Sequence, residues 1–257
     1  MGVFDFFKNR RRDAQGAVPL TDAQQAILHR NVPYLAKLDA DERQELEALI
    51  QVFLAEKSFE GCGGLTITDE IRFTIAAQAC LLLLHRDSDI YPRVESIVVY
   101  PSAYLAPHRA ADGHVVQEGL QARLGETSLQ GAVVLAWDQA HMDASNIVDG
   151  HNVVMHEFAH QLDGEDGKFD GVPALASRTG YRLWAAVLGH EYQELVAQLD
   201  AGHAPSIDDY AATNPAEFFA VVTEMFFEQG AQMLHRHPAL YEQLKEFYQQ
   251  DPAARQA

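Results

Sequence analysis

Residues 153–163 read Val-Val-Met-His-Glu-Phe-Ala-His-Gln-Leu-Asp, an apolar segment interrupted by two histidines and a glutamate. Its apolar residues recur at helical spacing, so we predict a buried helix. His156 and His160 are four residues apart and therefore lie on the same face of that helix. Two imidazoles so placed can bind one metal ion, and Glu157 can reach a water on that ion. This spacing is typical of a zinc peptidase. The simpler alternative is a core helix whose histidines are hydrogen-bonded internally.

The composition is that of a globular protein and restricts its partners. The 257 residues include 19 Lys and Arg against 37 Asp and Glu, a formal net charge of -18. Such a charge repels phosphate and argues against direct nucleic-acid binding. No apolar run approaches the length of a transmembrane segment. The two cysteines, Cys62 and Cys80, lack metal-ligand spacing, and so few cysteines favour a reducing, cytoplasmic location.

Residues 1–18 differ in character from the rest of the chain. Apolar side chains precede a basic run there, which is the reverse of the order in a secretion signal. We predict that residues 1–18 are a flexible or docked N-terminal segment, with contact to a membrane surface or a partner as the alternative. Residues 19–257 are predicted to form a single domain.

The apolar periodicity predicts a mostly helical α+β fold with a small sheet. Thr21, Asp39 or Asp41, and Thr68 are candidate N-caps, and the last of these begins an apolar helix through Leu84. Further helices are predicted at 179–199, 216–229 and 238–248, and strands at 97–100, 115–116 and 131–137. The strand at 131–137 precedes the motif helix. Its free edge could border the cleft and pair with an extended substrate, or it is a plain core strand.

A catalytic zinc needs a third protein ligand and an open position. A third histidine six residues beyond His160 is excluded because position 166 is Asp. A glutamate ligand some twenty residues beyond His160 is excluded as well, because no Glu lies between Glu165 and Glu191. Glu217 is the strongest candidate, since it lies in the first turn of an otherwise apolar helix. A carboxylate that only stabilises the helix N-terminus is the alternative for this position. The other candidate ligands are Glu191, Glu194, Glu224 and Glu228.

Two further carboxylates share a helix face with a candidate ligand. Asp163 lies one turn beyond His160 and could accept a hydrogen bond from a ligand imidazole, or it is a helix-end carboxylate in water. Glu224 lies two turns beyond Glu217 and could accept such a bond, or it is a satisfied core carboxylate.

The sequence resembles the Mlc titration factor A family of bacterial zinc metallopeptidases. The likeness rests on His-Glu-Phe-Ala-His-Gln-Leu-Asp at 156–163 and Asp-Tyr-Ala-Ala-Thr-Asn-Pro-Ala-Glu-Phe-Phe-Ala at 209–220. The metal core is also similar to that of the catalytic domain of anthrax lethal factor. The resemblance implies a zincin-like fold with a small mixed sheet bordering the active-site cleft.

The resemblance also implies roles for individual residues. His156, His160 and Glu217 would bind one Zn²⁺ per chain, Glu157 would be the general base, and Tyr210 would stabilise the oxyanion. The implied activity is peptide hydrolysis, as an aminopeptidase on small peptides. An alternative implied by the family name is a protein that sequesters an Mlc-type transcriptional repressor, with peptidase activity secondary.

Overall fold

The computed structural model describes residues 18–86, 88–112, 115–123, 125–127 and 131–255. The predicted N-terminal segment therefore lies almost entirely outside the described residues. Within them, one cluster of buried apolar side chains extends from Leu20 to Tyr248. The division into residues 1–18 and a single domain at 19–257 stays a prediction. No helix in the described part of the chain is both long enough and apolar enough to cross a membrane.

Helices make up most of the described fold. They are α1 (Asp22–Asn31), α2 (Ala40–Glu56), α3 (Asp69–Leu81), α4 (Trp137–Ser145), α5 (Val153–Asp163), α6 (Arg178–Asp200), α7 (Pro215–Glu228), α8 (Gly230–Arg236), α9 (Pro238–Tyr248) and α10 (Pro252–Arg255). Short 3₁₀ helices lie at Pro33–Lys37, Gly164–Asp166 and Asp209–Ala212.

The strands form two small sheets. They are β1 (Ser58–Gly61), β2 (Ser96–Tyr100), β3 (Tyr104–Asp112), β4 (Val115–Arg123), β5 (Gly125–Thr127) and β6 (Ala132–Ala136). The larger sheet has the order β1-β2-β6-β5, and β3 pairs with β4 alone. Because β1, β2 and β6 are parallel and β5 is antiparallel to β6, the larger sheet is mixed. The mostly helical α+β fold with a small mixed sheet is thus confirmed.

Of the two alternatives for the strand at 131–137, the free edge is wrong and the core strand is confirmed. β6 pairs with β2 on one side and with β5 on the other, so both of its edges are occupied. The short strand β5 takes the edge position next to the motif helix. A strand of three residues is too short to be recognised from the periodicity of the sequence. The sheet therefore meets the cleft through β5.

Helix α3 is shorter than its apolar pattern suggested. It ends at Leu81, and a turn follows in which Leu82, Leu83 and Leu84 remain buried. Those leucines continue the apolar run because they enter the core, although they are not helical. His85 then takes a positive φ of 63°, and its backbone N–H donates to Glu45 at 2.7 Å.

Helix α5 is held in the core by its apolar face. Phe158 is fully buried, and its ring centroid lies 4.6 Å from that of Tyr91 and 5.7 Å from that of Phe53. Burying aromatic side chains of this size supplies several kcal/mol in comparable cores, roughly 3–5 kcal/mol by Phe→Ala substitution. The packing fixes the rotation of α5 and so determines which way its histidines point.

Candidate metal centre

The N-terminus of α5 is fixed by two side chains from the preceding segment. Asn152 is the N-cap and accepts a hydrogen bond from the backbone N–H of Met155 at 3.0 Å. The carboxylate of Asp143, on α4, accepts from the backbone N–H of Val153 at 2.9 Å. These two acceptors satisfy amides that the first turn of a helix leaves unpaired. The helix that carries the His-Glu pair is therefore anchored at the end nearest to His156.

Helix α7 brings Glu217 to the two histidines. Oε2 of Glu217 lies 3.0 Å from Nε2 of His156 and 3.3 Å from Nε2 of His160. Asn214 caps α7 by accepting from the backbone N–H groups of Ala216 and Glu217, at 2.9 and 3.0 Å. Glu217 is thus in the first turn, as the sequence indicated, and its carboxylate faces α5.

The donor atoms of His156, His160 and Glu217 all lie within 4.8 Å of one another. In the described part of the chain they are the one group of His, Cys, Asp or Glu residues that could hold a metal ion. Two imidazole nitrogens and one carboxylate oxygen are the donor set of a catalytic zinc site with a coordination position left open. The arrangement fits a single divalent cation.

The charges around the three side chains also suit a cation. Burial by itself raises the pKa of Glu217, but hydrogen bonds from His156 and His160 outweigh it and hold the pKa well below its usual range. For His156, burial lowers the pKa, yet the carboxylates of Glu224 and Glu217 raise it overall well above its usual value. The protein surroundings thus favour positive charge at this point.

Glu224 contacts the far side of the His156 ring. Its Oε1 lies 2.7 Å from Nδ1 of His156, and its Oε2 accepts from the backbone N–H of Asn152. A carboxylate on Nδ1 orients an imidazole and directs its Nε2 outward, as in many metal sites. Of the two readings of Glu224, this geometry matches the one in which it accepts a hydrogen bond from a candidate ligand.

Glu157 lies beneath the edge strand of the sheet. It is buried, with 6% of its surface exposed, and β5 passes directly over it at Gly125. A Cβ atom at position 125 would lie 2.5 Å from Oε1 of Glu157 and 2.8 Å from Cγ2 of Val153. Only a glycine allows this close approach of strand and carboxylate.

Tyr210 is on the 3₁₀ turn that leads into α7. Its ring centroid lies 6.0 Å from that of His156, and the side chain is 52% exposed. The backbone N–H of Tyr210 donates to the carboxylate of Asp208 at 2.9 Å, which fixes the start of the turn. Tyr210 therefore borders the candidate metal centre from the solvent side.

Asp163 is not the solvated helix-end carboxylate that the sequence left as one alternative. It is fully buried, and its Oδ2 accepts from the backbone N–H of Gly171 at 3.0 Å. Its Oδ1 has no hydrogen-bond partner among the described residues, and burial raises its pKa to about 6. Asp163 ties the loop after α5 to the helix end, while a hydrogen bond to His160 stays a prediction.

The remaining glutamate candidates have other partners or none near the site. Glu191 contacts His237, and Glu228 accepts from Gly150 at 3.1 Å and from Asn152 at 3.2 Å. Glu194 is exposed. The sequence reasoning missed Asn152 and Asp143, although an Asn directly before an apolar helix is a recognisable N-cap signal.

Comparison with known proteins identifies the class. The family model described as Glucose-regulated metallo-peptidase M90 matches residues 6–249. The chain is therefore a metallopeptidase, a class that agrees with the fold and with the three converging side chains. It is 47% identical over 236 residues to Uncharacterized protein slr2042 of Synechocystis sp.. The aligned region covers 91% of this chain and 86% of the relative.

The chain is also similar to proteins named Mlc titration factor A from Yersinia pestis and Yersinia pseudotuberculosis. Each is 32% identical over 229 residues, covering 88% of this chain and 84% of the relative. The chain belongs to the M90 family of glucose-regulated metallo-peptidases. The resemblance found from the two motifs is thereby confirmed.

Proposed function

We propose that this chain is a zinc-dependent peptidase in which Glu157 activates the attacking water. The observation that supports it best is the convergence of Nε2 of His156, Nε2 of His160 and Oε2 of Glu217, with Glu157 next to His156 on the same helix. These three side chains would hold one Zn²⁺ per chain. The bound ion would supply Lewis-acid polarisation of the scissile carbonyl and would acidify a water molecule.

The protein side chains divide the proton transfers and the charge stabilisation between them. Glu157 takes the proton from the attacking water and returns it to the leaving amine. Tyr210 donates a hydrogen bond to the oxyanion, a contribution of about 3 kcal/mol in comparable sites. The exposure of Tyr210 and its position beside the His156 ring support this role.

The substrate is proposed to be a small peptide with a free amino terminus. The resemblance to the Mlc titration factor A family supports aminopeptidase action. The edge position of β5 beside Glu157 supports binding of an extended peptide backbone, because one side of β5 is unpaired among the strands that the structure describes. A comparison of free and N-blocked peptides of one sequence tests the exopeptidase assignment. Equal cleavage of both would indicate an endopeptidase.

Substitution of Glu157 by Gln tests the proposed function. We expect turnover to fall by about 10³-fold, because an amide cannot accept the proton. Zinc content, measured by elemental analysis, should stay at one per chain because no ligand is removed. The matched control is Glu194→Gln, an exposed glutamate on α6 that should leave both quantities unchanged. Normal turnover in Glu157→Gln would reject the general-base role.

A second function is proposed from the relatives named Mlc titration factor A. The chain would bind an Mlc-type transcriptional repressor, and its net charge of -18 suits a partner with a basic patch. Titration of the purified repressor by calorimetry, with and without a zinc chelator, tests this. If the repressor still binds in the presence of the chelator, its binding does not depend on the peptidase centre. If it binds in neither condition, this partner is excluded.

A further inference from the structure

A second group of reactive side chains lies outside the metal ligands. Oγ of Ser206 lies 2.7 Å from Nε2 of His237, and Nδ1 of His237 lies 2.7 Å from Oε2 of Glu191. Glu191 is on α6, Ser206 is on the loop that follows α6, and His237 joins α8 to α9. Three separate segments therefore meet in a continuous Ser–His–Glu hydrogen-bonded chain.

The carboxylate determines how the imidazole is protonated. An ionised Glu191 only accepts hydrogen bonds, so Nδ1 of a neutral His237 must carry the ring proton. Nε2 then has a free lone pair and accepts the hydroxyl proton of Ser206. This is the arrangement in which a histidine acts as the base for a serine nucleophile, and it is defined by geometry and not by the order of residues in the chain.

The exposure of the three side chains suits such a role. The side chains of His237 and Glu191 are 16% and 17% exposed, so their hydrogen bond is largely shielded from water. Ser206 is only partly buried, which leaves its hydroxyl within reach of a small molecule. Shielding strengthens the orienting hydrogen bond, while access to the serine permits reaction.

Two neighbouring features could serve a bound substrate. Among the described residues no side chain caps the N-terminus of α9, which begins directly after His237. In the proposed site the first-turn amides of Ala239 and Leu240 would be the donors for a developing negative charge. Leu234 lies one helical turn before His237 and is 39% exposed. In the proposed site it would be the apolar contact for a short acyl group.

We propose that Ser206 is the nucleophile of a metal-independent acyl-transfer site that takes small carboxylic esters. Oγ of Ser206 attacks the ester carbonyl carbon, and His237 takes the hydroxyl proton and passes it to the departing alcohol as the carbon–oxygen ester bond breaks. Water then attacks the acyl carbon of the acyl-serine and gives a proton to His237. The bond between Oγ and the acyl carbon breaks, His237 returns the proton to Oγ, and the carboxylic acid leaves, which restores both Ser206 and His237. Glu191 is a positioning residue that holds His237 in the required tautomer.

Covalent labelling of the full chain tests this site without reference to the peptidase. The protein is treated with a chelator and then with a fluorophosphonate, and peptide mass spectrometry measures the rate of phosphonylation at each serine. We expect Ser206 to react about 100-fold faster than Ser145, since Ser206 contacts an imidazole base and Ser145 contacts a backbone carbonyl. Ser145 is the matched control because its Oγ contacts the carbonyl oxygen of Met142 at 2.7 Å.

Substitutions separate a nucleophile from a structural serine. We expect His237→Gln to lower the labelling rate of Ser206 by about 100-fold and Glu191→Gln by about tenfold, because the base and then its orientation are lost. Hydrolysis of 4-nitrophenyl acetate should fall in parallel and should vanish in Ser206→Ala, while Ser145→Ala keeps the native rate. Circular dichroism and thermal unfolding identify which variants remain folded.

Two results would overturn the proposal. If native Ser206 is labelled no faster than Ser145, the three residues only form structural hydrogen bonds that connect α6 to the α8–α9 junction. The same conclusion would follow if a folded His237→Gln variant kept the native labelling rate. Neither result bears on the metal centre, because labelling is measured with chelator present.

Discussion

Oε1 of Glu224 lies 2.7 Å from Nδ1 of His156, on the side of the ring opposite to the nitrogen that faces Glu217. Both glutamates are on α7, two helical turns apart, so one helix contacts both nitrogens of the same imidazole. The ring is thereby fixed with Nε2 directed at Glu217. Glu224 is also anchored itself, because its second oxygen accepts from the backbone of Asn152.

Glu224→Gln should weaken zinc binding by about tenfold or more, because loss of the outer carboxylate reduces the basicity and the orientation of a ligand imidazole. Competition with a chromophoric chelator measures the affinity. Glu194→Gln serves as the exposed control and should bind zinc as the native chain does. Unchanged affinity in a folded Glu224→Gln variant would assign the carboxylate to the packing of α5 against α7.

Glu217→Ala should remove zinc from the purified chain, since two imidazoles alone form an incomplete site. Elemental analysis after gel filtration measures the bound metal, and circular dichroism checks the fold. Full metal content would transfer the third-ligand role to another carboxylate. Glu224 would then be the first residue to consider, because it already contacts His156.

Tyr210→Phe should reduce the turnover number by about 10²-fold with little change in zinc content, because one hydrogen bond to the oxyanion is lost and no ligand is removed. The turnover number and the Michaelis constant are measured on one peptide. Tyr181→Phe is the control, as Tyr181 is an exposed tyrosine on α6. A change confined to the Michaelis constant would contradict the oxyanion role.

Gly125→Ala should displace Glu157, because the new methyl group would meet Oε1 at 2.5 Å and Cγ at 2.8 Å. We expect turnover to fall by about 10²-fold, a loss that a displacement of about 1 Å in a catalytic group can cause. Zinc content should be retained. The control is Gly189→Ala on α6, where an added Cβ meets nothing within 4 Å. Native turnover in Gly125→Ala would show that β5 shifts to accommodate the methyl group and that Glu157 keeps its position.

The sequence predicted several elements closely because their signals are local. The helix expected at 238–248 is α9, and Thr21, Asp39 and Thr68 are N-caps as expected. Capping residues and apolar periodicity act within one or two helical turns, so they can be read without knowing the fold. The end of α3 was misjudged since a buried turn is as apolar as a buried helix.

The arrangement of His156 and His160 on one face, with Glu157 next to His156, was likewise determined by the sequence alone, because the pitch of a helix fixes it. Only the tertiary structure decided which distant carboxylate meets those histidines. Glu217 is 61 residues from His156, and neither periodicity nor capping distinguishes it fully from Glu224, seven residues further on. That choice depends on how α7 packs against α5, and the position of β5 over Glu157 depends on strand pairing. Both are contacts between segments far apart in the chain, which no local pattern encodes.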